Sequence, residues 1–333
     1  MSSAASVTPP AAPGRPPGRG TRRGVRRWTF DRISLFVVFL GLPLALFLGF
    51  VIWPFAQAAF YSITDWTGLT PTFNIIGIGN FVKEFNDSNF TTALTNNLLF
   101  ALIVPIVTIV IALAFASLIT IGGPSRGPMR GIAGSSFYRV VSFFPYVIPA
   151  IVIGLIWAQI FDPSAGLLNR LLVGLGLPFQ SFAWLGEPTT ARWCLMFVIV
   201  WGFVGFYMVL FIAGIKGIPA ETYEAARIDG TGRFRMATRI TFPLIVENVQ
   251  TAYIYLGIAA LDAFVYASAL TPNGGPANTT IVIPQLIIRY AFLQGQAGYA
   301  SAMGVTMAIV TLAYAGLVLL LFRGLRRVLG SEL

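Results

Sequence analysis

Residue types that perform most enzyme chemistry are scarce in this sequence. It contains no histidine and a single cysteine, Cys194. These counts exclude a Ser-His-Asp triad, a Cys-His pair, a zinc site of His and Cys ligands and a disulfide within the chain. The two lysines, Lys83 and Lys216, lie outside any GxxxxGK[ST] pattern, so the chain lacks the phosphate-binding loop of Walker-type ATPases. We therefore predict that the chain is not an enzyme and binds no metal or cofactor.

The elements that position the remaining polar groups are predicted to lie in a membrane. Hydrophobic residues make up 56% of the 333 residues and charged residues 10%. Soluble domains contain about 45–50% apolar and about 25% charged residues. So few charges cannot cover the surface of a soluble globule. The composition therefore predicts a membrane-embedded protein whose function depends on shape, on polar groups at depth and on partners.

Six segments are long enough to cross a bilayer as helices, because a bilayer core of about 30 Å needs roughly 20 apolar residues. Five of them contain an uncharged run of that length, and the fifth in chain order carries Glu247 and Asp262. Pro145 and Pro149 predict a kink in the third. A shorter apolar run, 279–288, predicts a re-entrant or surface-lying piece. The predicted fold is an all-α polytopic membrane protein with spans at about 33–56, 97–121, 140–161, 192–215, 244–270 and 299–322.

The basic residues predict the orientation of these spans. Of the 22 Lys and Arg residues, 18 precede the first span, follow the sixth, or lie between the second and third or the fourth and fifth. The other four lie in the alternate loops. The positive-inside rule then places both termini in the cytoplasm.

The first 30 residues are rich in Arg, Pro, Gly and Ala and predict a disordered cytoplasmic tail that touches anionic lipid headgroups. Prolines and glycines interrupt its basic residues and no aromatic platform accompanies them, so we predict no nucleic-acid binding. A signal peptide is the alternative interpretation of the N-terminus. The apolar run that follows is longer than the about 7–15 residues of a signal-peptide core, which favours an uncleaved first span.

Residues 217–243, between the fourth and fifth spans, predict two short helices joined by a glycine turn. Pro219 suits the first turn of a helix. Glu221 and Glu224 favour the positive, N-terminal end of that helix. The segment therefore predicts a first helix that begins close to Pro219 and lies on the cytoplasmic face.

The end of this first helix and the start of the next are also visible in the sequence. The pair Ala225-Ala226 offers a surface without bulk, which another protein can approach closely. The pair Asp229-Gly230 stops the helix, because glycine readily adopts positive φ. A second, basic helix is predicted over about 232–242, and Pro243 is predicted to open the fifth span, where its missing N–H costs little.

The spacing of these residues resembles the coupling loop of ATP-binding-cassette (ABC) importer permeases, which docks into a groove of a separate ATPase subunit. The alternative is a connecting loop with incidental amphipathic helices, which are common on membrane surfaces. Thr231 and Ala237 depart from the family pattern, and this affects the expected packing of the second helix. The matching residues are Glu224-Ala225-Ala226, Gly230, Ile240 and Pro243.

Further motifs over residues 35–325 resemble the carbohydrate-uptake branch of this family. Within that branch they are similar to the first of two dissimilar permeases in a maltose-transporter type of arrangement. The tail after Phe322 lacks the ending typical of the second permease. The motifs are Phe60–Trp66, Gly79–Phe81, Ala93–Asn97, Gly166–Asn169, Gly205–Met208, Thr271–Pro276 and Gly298–Ala302.

The resemblance implies a type I ABC importer fold, with residues 31–333 as a permease domain that forms half of a pathway for a sugar or oligosaccharide. The implied partners are a second permease, an ATPase dimer that binds ATP-Mg, an extracytoplasmic solute-binding protein and the lipids of a bacterial cytoplasmic membrane. The residues implied to couple this chain to the ATPase are Glu221, Glu224, Ala225, Ala226, Asp229, Gly230 and Pro243.

Asp262 is the first candidate for the substrate path of such a permease, because ionisable groups within spans are costly and usually face a cavity or a partner. Asn248, Tyr253 and Tyr255 lie on the same predicted span. Sugar recognition commonly combines aromatic faces with amide and carboxyl hydrogen bonds. The alternative is that Asp262 lies near the outer boundary or pairs within the helix bundle.

Three other functions stay open. A secondary transporter predicts charged pairs within spans and an inverted repeat, but no Lys or Arg accompanies Glu247 and Asp262 in their span. An intramembrane enzyme is disfavoured by the absence of histidine and of a paired catalytic constellation. The same permease architecture can also carry a sugar-phosphate ester, a polyamine or an amino acid, because the coupling loop recognises the motor and not the cargo.

Overall fold

The computed structural model describes residue 34 and residues 37–121 and 131–330. The predicted tail, 1–30, lies outside the described residues. Residues up to Pro54 form one compact unit and residues from Phe55 form a second, to which every contact given below belongs. The helices are α1 (Val37–Tyr61), α2 (Gly79–Asn86), α3 (Ser88–Ile121), α4 (Ser135–Val147), α5 (Ala150–Ile160), α6 (Leu167–Gly174), α7 (Pro188–Lys216), α8 (Ala220–Ile228), α9 (Arg233–Leu244), α10 (Val246–Leu261), α11 (Phe264–Leu270), α12 (Ile283–Leu293) and α13 (Ala297–Gly330).

Four of the described helices, α1, α3, α7 and α13, are each long and apolar enough to cross a membrane without a break. Two pairs of helices pass the same test together although each is sharply bent. These pairs are α4 with α5, bent by 98°, and α9 with α10, bent by 77°. Six spans result if each bent pair is counted as one.

Helices α3 and α7 form the centre of the core. Phe100 and Val104 of α3, and Leu195, Met208 and Phe211 of α7, are all fully buried. The opposite faces of the long helices expose large apolar side chains, as expected for surfaces that face lipid or another membrane subunit. The core is therefore a layer between helices, and the opposite faces of the long helices stay exposed in this chain.

Two glycines permit the closest helix contacts in this core. A Cβ atom added to Gly205 of α7 would lie 1.7 Å from the carbonyl oxygen of Ser142 in α4. A Cβ added to Gly257 of α10 would lie 1.9 Å from the hydroxyl oxygen of Tyr314 in α13. Small residues at such crossings let membrane helices approach closely, so these positions determine how α4 and α13 pack on the core.

The predicted kink of the third span is confirmed as the 98° bend between α4 and α5. Ile148 has an extended backbone and Pro149 is the N-cap of α5. The residue before a proline is disfavoured in the helical region, so α4 ends where the sequence places its second proline.

The fifth span differs from the continuous helix expected over 244–270. Helix α10 begins at Val246, after the 77° bend that follows α9. It ends at Leu261, and the chain resumes as α11 only at Phe264. Pro243 lies in the last turn of α9, three residues before the start of α10, and so does not open the span.

The short apolar run predicted over 279–288 is packed into the protein. Two single turns of 3₁₀-helix at 272–274 and 276–278 lead into it, and α12 contains its second half. Ile281, Ile283 and Leu286 are fully buried. This segment covers the ends of α3 and α13.

The loops cluster at two ends of the second unit. Phe322 packs with Tyr223 and Ile215 in one hydrophobic cluster, at the end that we call the basic end. Lys83 donates a hydrogen bond to Gln296 at 2.6 Å, at the opposite end, which we call the loop end. The candidate coupling loop lies at the basic end, and the segments 62–87 and 271–296 lie at the loop end.

Candidate functional site

The boundaries of helix α8 follow from the residues at its two ends. Pro219 is its N-cap, with φ −54°. Beyond its last residue, Gly230 has φ +73° and donates its N–H to the carbonyl of Arg227 at 3.0 Å. The N–H of Thr231 reaches the carbonyl of Ala226 at 2.9 Å. This pair of bonds is the Schellman motif, which favours glycine at the left-handed position.

The exposed face of α8 and the turn that follows it carry five of the seven predicted coupling residues. Pro243 is half-buried in α9, and Ala226 is 93% buried and belongs to the core cluster with Tyr223. The hydroxyl oxygens of Tyr223 and Thr241 are 3.1 Å apart, which joins α8 to α9. The surface without bulk therefore depends on one alanine of the pair. The exposed members of the predicted set are Glu221, Glu224, Ala225, Asp229 and Gly230.

Two large apolar side chains stand beside this face, and the sequence reasoning missed them. Ile228, at the end of α8, is 87% exposed, and Phe234, at the start of α9, is 83% exposed. Exposed apolar groups rimmed by polar residues are typical of protein interaction sites. The sequence does contain a signal for them, because both are large apolar residues in an otherwise polar and basic segment. The glycine turn presents both to the same end of the molecule.

Three of the four predicted path residues share one face of the fifth span. Asn248, Tyr255 and Asp262 are spaced by seven residues, about two helical turns. Tyr255 is 65% exposed, and Asp262 lies exposed at the break between α10 and α11. Tyr253 points elsewhere, because its ring stacks on that of Tyr314 with centroids 6.2 Å apart.

An aromatic cluster that the sequence reasoning did not assign lies on the neighbouring spans. The rings of Tyr146 and Phe206 stack with centroids 4.4 Å apart. Phe203 lies 6.1 Å from Tyr146 and 6.4 Å from Tyr266. These residues come from α4, α7 and α11. Tyr146 lies in the last turn of α4, directly before the bend of the third span, and its side chain is 41% exposed.

The break in the fifth span is stabilised by Asn97, a fully buried residue of α3. Its amide nitrogen donates to the carbonyl of Leu261, the last residue of α10. Its amide oxygen accepts the N–H of Ile283, at the start of α12, at 2.9 Å. One side chain thus satisfies a carbonyl that the break releases and an N–H at the start of α12.

Asn96 anchors the segment that precedes α12. Its side-chain amide donates to the carbonyls of Thr279 and Ile281, at 2.9 and 2.8 Å. Arg192 of α7 also donates to the carbonyl of Thr279, at 3.2 Å. The segment that precedes α12 is therefore attached to α3 and α7 through its backbone.

A family comparison identifies the region that contains these features. Residues 119–327 match the family described as "Binding-protein-dependent transport system inner membrane component". This range includes the third to sixth spans, the coupling-loop candidate and the short apolar segment 279–288. It also contains every residue assigned above to coupling or to the path.

Curated relatives match along most of the chain. The diacetylchitobiose uptake system permease protein NgcF of Streptomyces coelicolor is 60% identical over 296 residues, which is 89% of this chain and 84% of the relative. The multiple sugar-binding transport system permease protein MsmF of Streptococcus mutans is 33% identical, over 82% of this chain and 89% of the relative.

Solved structures show the same fold. A chain of a bacterial ABC transporter involved in the import of the acidic polysaccharide alginate superimposes with a TM-score of 0.73 at 22% identity, over 88% of this chain and 97% of that chain. A chain of the alginate transporter in complex with an alginate pentasaccharide-bound periplasmic protein gives a TM-score of 0.74 at 23% identity, over 89% and 96%.

Proposed function

Because this chain belongs to the family of binding-protein-dependent transport inner membrane components, and is thus a permease subunit of an ABC importer, we propose that its cargo is a small acetylated oligosaccharide of the diacetylchitobiose class. The predicted fold class and family are confirmed by the match over residues 119–327. The observation that carries the cargo is the 60% identity to a diacetylchitobiose permease over 89% of the chain. The matched 296 residues are long enough to include most of the predicted spans.

The face of the fifth span that carries Asn248, Tyr255 and Asp262, which we call the exposed stripe although Asn248 is partly buried, has suitable chemistry for such a cargo, as has the aromatic cluster. Tyr255 and Tyr146 present ring faces, on which the apolar face of a sugar ring stacks. Asn248 and Asp262 supply amide and carboxylate groups for hydroxyl and acetamido hydrogen bonds. A few polar groups among aromatic walls are the usual composition of a small-ligand site. These four residues are proposed to line this chain's half of the pathway.

The remaining subunits complete the transporter. A second permease covers the exposed stripe, an extracytoplasmic solute-binding protein docks at the loop end, and an ATPase dimer, which binds ATP-Mg, docks at the basic end. The basic end faces the cytoplasm, supported by the distribution of Lys and Arg. Ile228 and Phe234 are proposed as apolar anchors in the ATPase groove, with Glu221, Glu224 and Asp229 around them. Hydrolysis of ATP occurs on the partner and not on this chain.

An uptake assay tests the cargo. Cells that lack this chain are expected to lose uptake of radiolabelled diacetylchitobiose and to regain it with a plasmid copy. An excess of unlabelled maltose, glycerol phosphate, spermidine or a neutral amino acid should not compete. Undiminished uptake in the deletion strain, or competition by one of these compounds, would contradict the assignment.

A reconstitution assay separates an ATP-driven importer from an ion-driven transporter. The complete complex in proteoliposomes is expected to import only with ATP at the ATPase side, and ionophores that collapse ion gradients should leave the rate unchanged. Import driven by an ion gradient without ATP would support the secondary-transporter alternative.

Tyr255→Ala is expected to lower the uptake rate about tenfold, because a lost stacking surface is worth about 0.5–1.5 kcal/mol and about 1.4 kcal/mol corresponds to tenfold. The measurement is initial uptake of labelled diacetylchitobiose, normalised to the amount of complex in the membrane. Phe144→Ala is the matched control. It removes an equally exposed ring, 63% against 65%, from the groove between α4 and α7 outside the aromatic cluster. Equal losses in both variants would remove Tyr255 from the path.

A further inference from the structure

Glu84 of α2 is a fully buried carboxyl group with few partners. Its side chain is 0% exposed, although the helix lies outside the membrane-spanning segments. One carboxyl oxygen accepts a hydrogen bond from the hydroxyl of Thr306 in α13. The other oxygen has no hydrogen-bond partner among the described residues. A buried carboxylate held by one hydroxyl is unfavourable, because burial penalises the charged form.

Asp87, one turn away at the same end of the molecule, is a carboxylate that several hydrogen-bond donors stabilise. It accepts hydrogen bonds from the hydroxyls of Tyr290 and Tyr299, at 2.6 and 3.1 Å, and from the N–H of Asn89 at 2.9 Å. Burial opposes its ionisation, but these bonds outweigh burial and lower the pKa of Asp87. Glu84 lacks this set of donors, so the pKa values of the two acids are shifted in opposite directions.

Within the part of the chain that the structure describes, Glu84 forms no ion pair. The ammonium of its neighbour Lys83 bonds to Gln296 and lies 4.0 Å from the centre of the Tyr299 ring. The two helices packed on α2 are α3 and α13. Helix α3 contains no titratable residue, and α13 contributes Tyr299 at this end. Burial, partly offset by the Thr306 hydrogen bond, raises the pKa of Glu84 to about 7.

Helix α2 is a bridge between two spans, so the state of Glu84 has consequences beyond its own contact. Asn80, on the same helix, donates to the carbonyls of Ser62 and Thr64 at 2.9 and 2.7 Å, just beyond the end of α1. Glu84 makes the contact to Thr306 in α13. The chain after α1 and the sixth span are thus joined through a helix whose buried face carries this acid.

We propose that Glu84 is a positioning residue whose bound proton holds α2 against α13, so that deprotonation loosens the loop end and slows transport. The direction follows from the raised pKa. Packing of α2 is strongest below the ordinary pKa of a glutamate and is lost as the pH rises through about 7. The transport part rests on the proposed function, in which the loop end faces the outside solution.

Infrared spectroscopy of the complete complex tests the protonation itself. The difference spectrum between wild type and Glu84→Gln is expected to contain a protonated-carboxyl stretching band at about pH 5 that disappears by about pH 9, two units to either side of the pKa. In Thr306→Val the band should persist to higher pH, because the lost donor favours the ionised form. Absence of the band at pH 5, or its presence unchanged at pH 9, would overturn the proposal.

An uptake profile tests the consequence. Wild-type uptake is expected to fall as the external pH rises through about 7, by at most about tenfold per pH unit. Glu84→Gln should remove this decline, and Thr306→Val should shift it to higher pH. Glu187→Gln, the same change at an exposed acid of the loop end, should follow wild type.

A Glu84→Gln profile identical to that of wild type would refute the positioning role. Failure of Glu84→Gln to fold leaves the shift in Thr306→Val as the deciding result. If the complex imports no acetylated oligosaccharide at any pH, the proposed function fails, whereas the infrared result still decides the protonation of Glu84.

Discussion

Gly230→Pro is expected to leave the chain in the membrane and to lower sugar uptake at least about hundredfold. Gly230 has φ +73° and its N–H bonds to Arg227 at 3.0 Å. Proline has no N–H and holds φ near about −65°, a conflict that costs about 3 kcal/mol or more in a helical setting, and about 2.7 kcal/mol corresponds to hundredfold. The turn that presents Ile228 and Phe234 would be lost. Uptake of labelled diacetylchitobiose, normalised to the membrane content of the chain, measures the effect.

Gly232→Pro is the control for this prediction, because it places the same residue in the same loop. Gly232 has φ −72° and is the N-cap of α9, so the proline ring fits its backbone. This variant should keep most of the wild-type uptake. Full uptake in Gly230→Pro would show that the geometry of this turn is not needed to couple the chain to the ATPase. Loss of the chain from the membrane would point to folding instead.

Asn97→Leu is expected to lower the free energy of unfolding by about 2–6 kcal/mol. The substitution leaves the carbonyl of Leu261 and the N–H of Ile283 buried without their partner, and each unsatisfied group costs about 1–3 kcal/mol. The two groups are bound now by one fully buried side chain. The measurement is the thermal unfolding of the purified complex in mild detergent, and transport should be lost with it.

Thr95→Val provides the comparison on the same helix. Thr95 is exposed, and its hydroxyl bonds only to the carbonyl of Thr91 within α3, at 2.8 Å. Its effect should stay within about 0.5 kcal/mol, as for ordinary surface changes. Similar destabilisation by both substitutions would mean that polar residues of α3 matter for helix formation and not for the break in the fifth span.

The spans were predictable because a helix that crosses the bilayer needs a long apolar segment, and such a segment is visible in the sequence. A helix must remain apolar for about 20 residues, and such runs are easy to recognise. The bend at Ile148 was predictable as well, since Pro149 acts on its immediate neighbour. The second break, at Asp262, carries no proline or glycine. A side chain 164 residues earlier in the sequence binds the end of α10 at this break, and no local pattern indicates that contact.

The same distinction separates the parts of the candidate site. The end of α8 follows from Gly230 and its own hydrogen bonds, which are local. The inward position of Ala226 depends on the cluster with Tyr223, and the stacking of Tyr146 on Phe206 depends on how α4 crosses α7 at Gly205. Such contacts exist only after the helices have packed. The roles of the predicted coupling and path residues stay predictions.

The hydrogen bond from Asn97 holds the end of α10 at Leu261 in place, so a tilt of this helix would turn about that end. The other end, at Val246 beside the bend into α9, is about 22 Å away at 1.5 Å per residue. Tyr255 lies about 9 Å from Leu261 by the same rise, which is roughly two fifths of the length of the helix. A tilt that moves the tip at the basic end by about 4 Å therefore moves Tyr255 by under about 2 Å, and Asp262 hardly at all. In the proposed importer, a large movement at the basic end would thus become a small movement of the residues proposed to line the path.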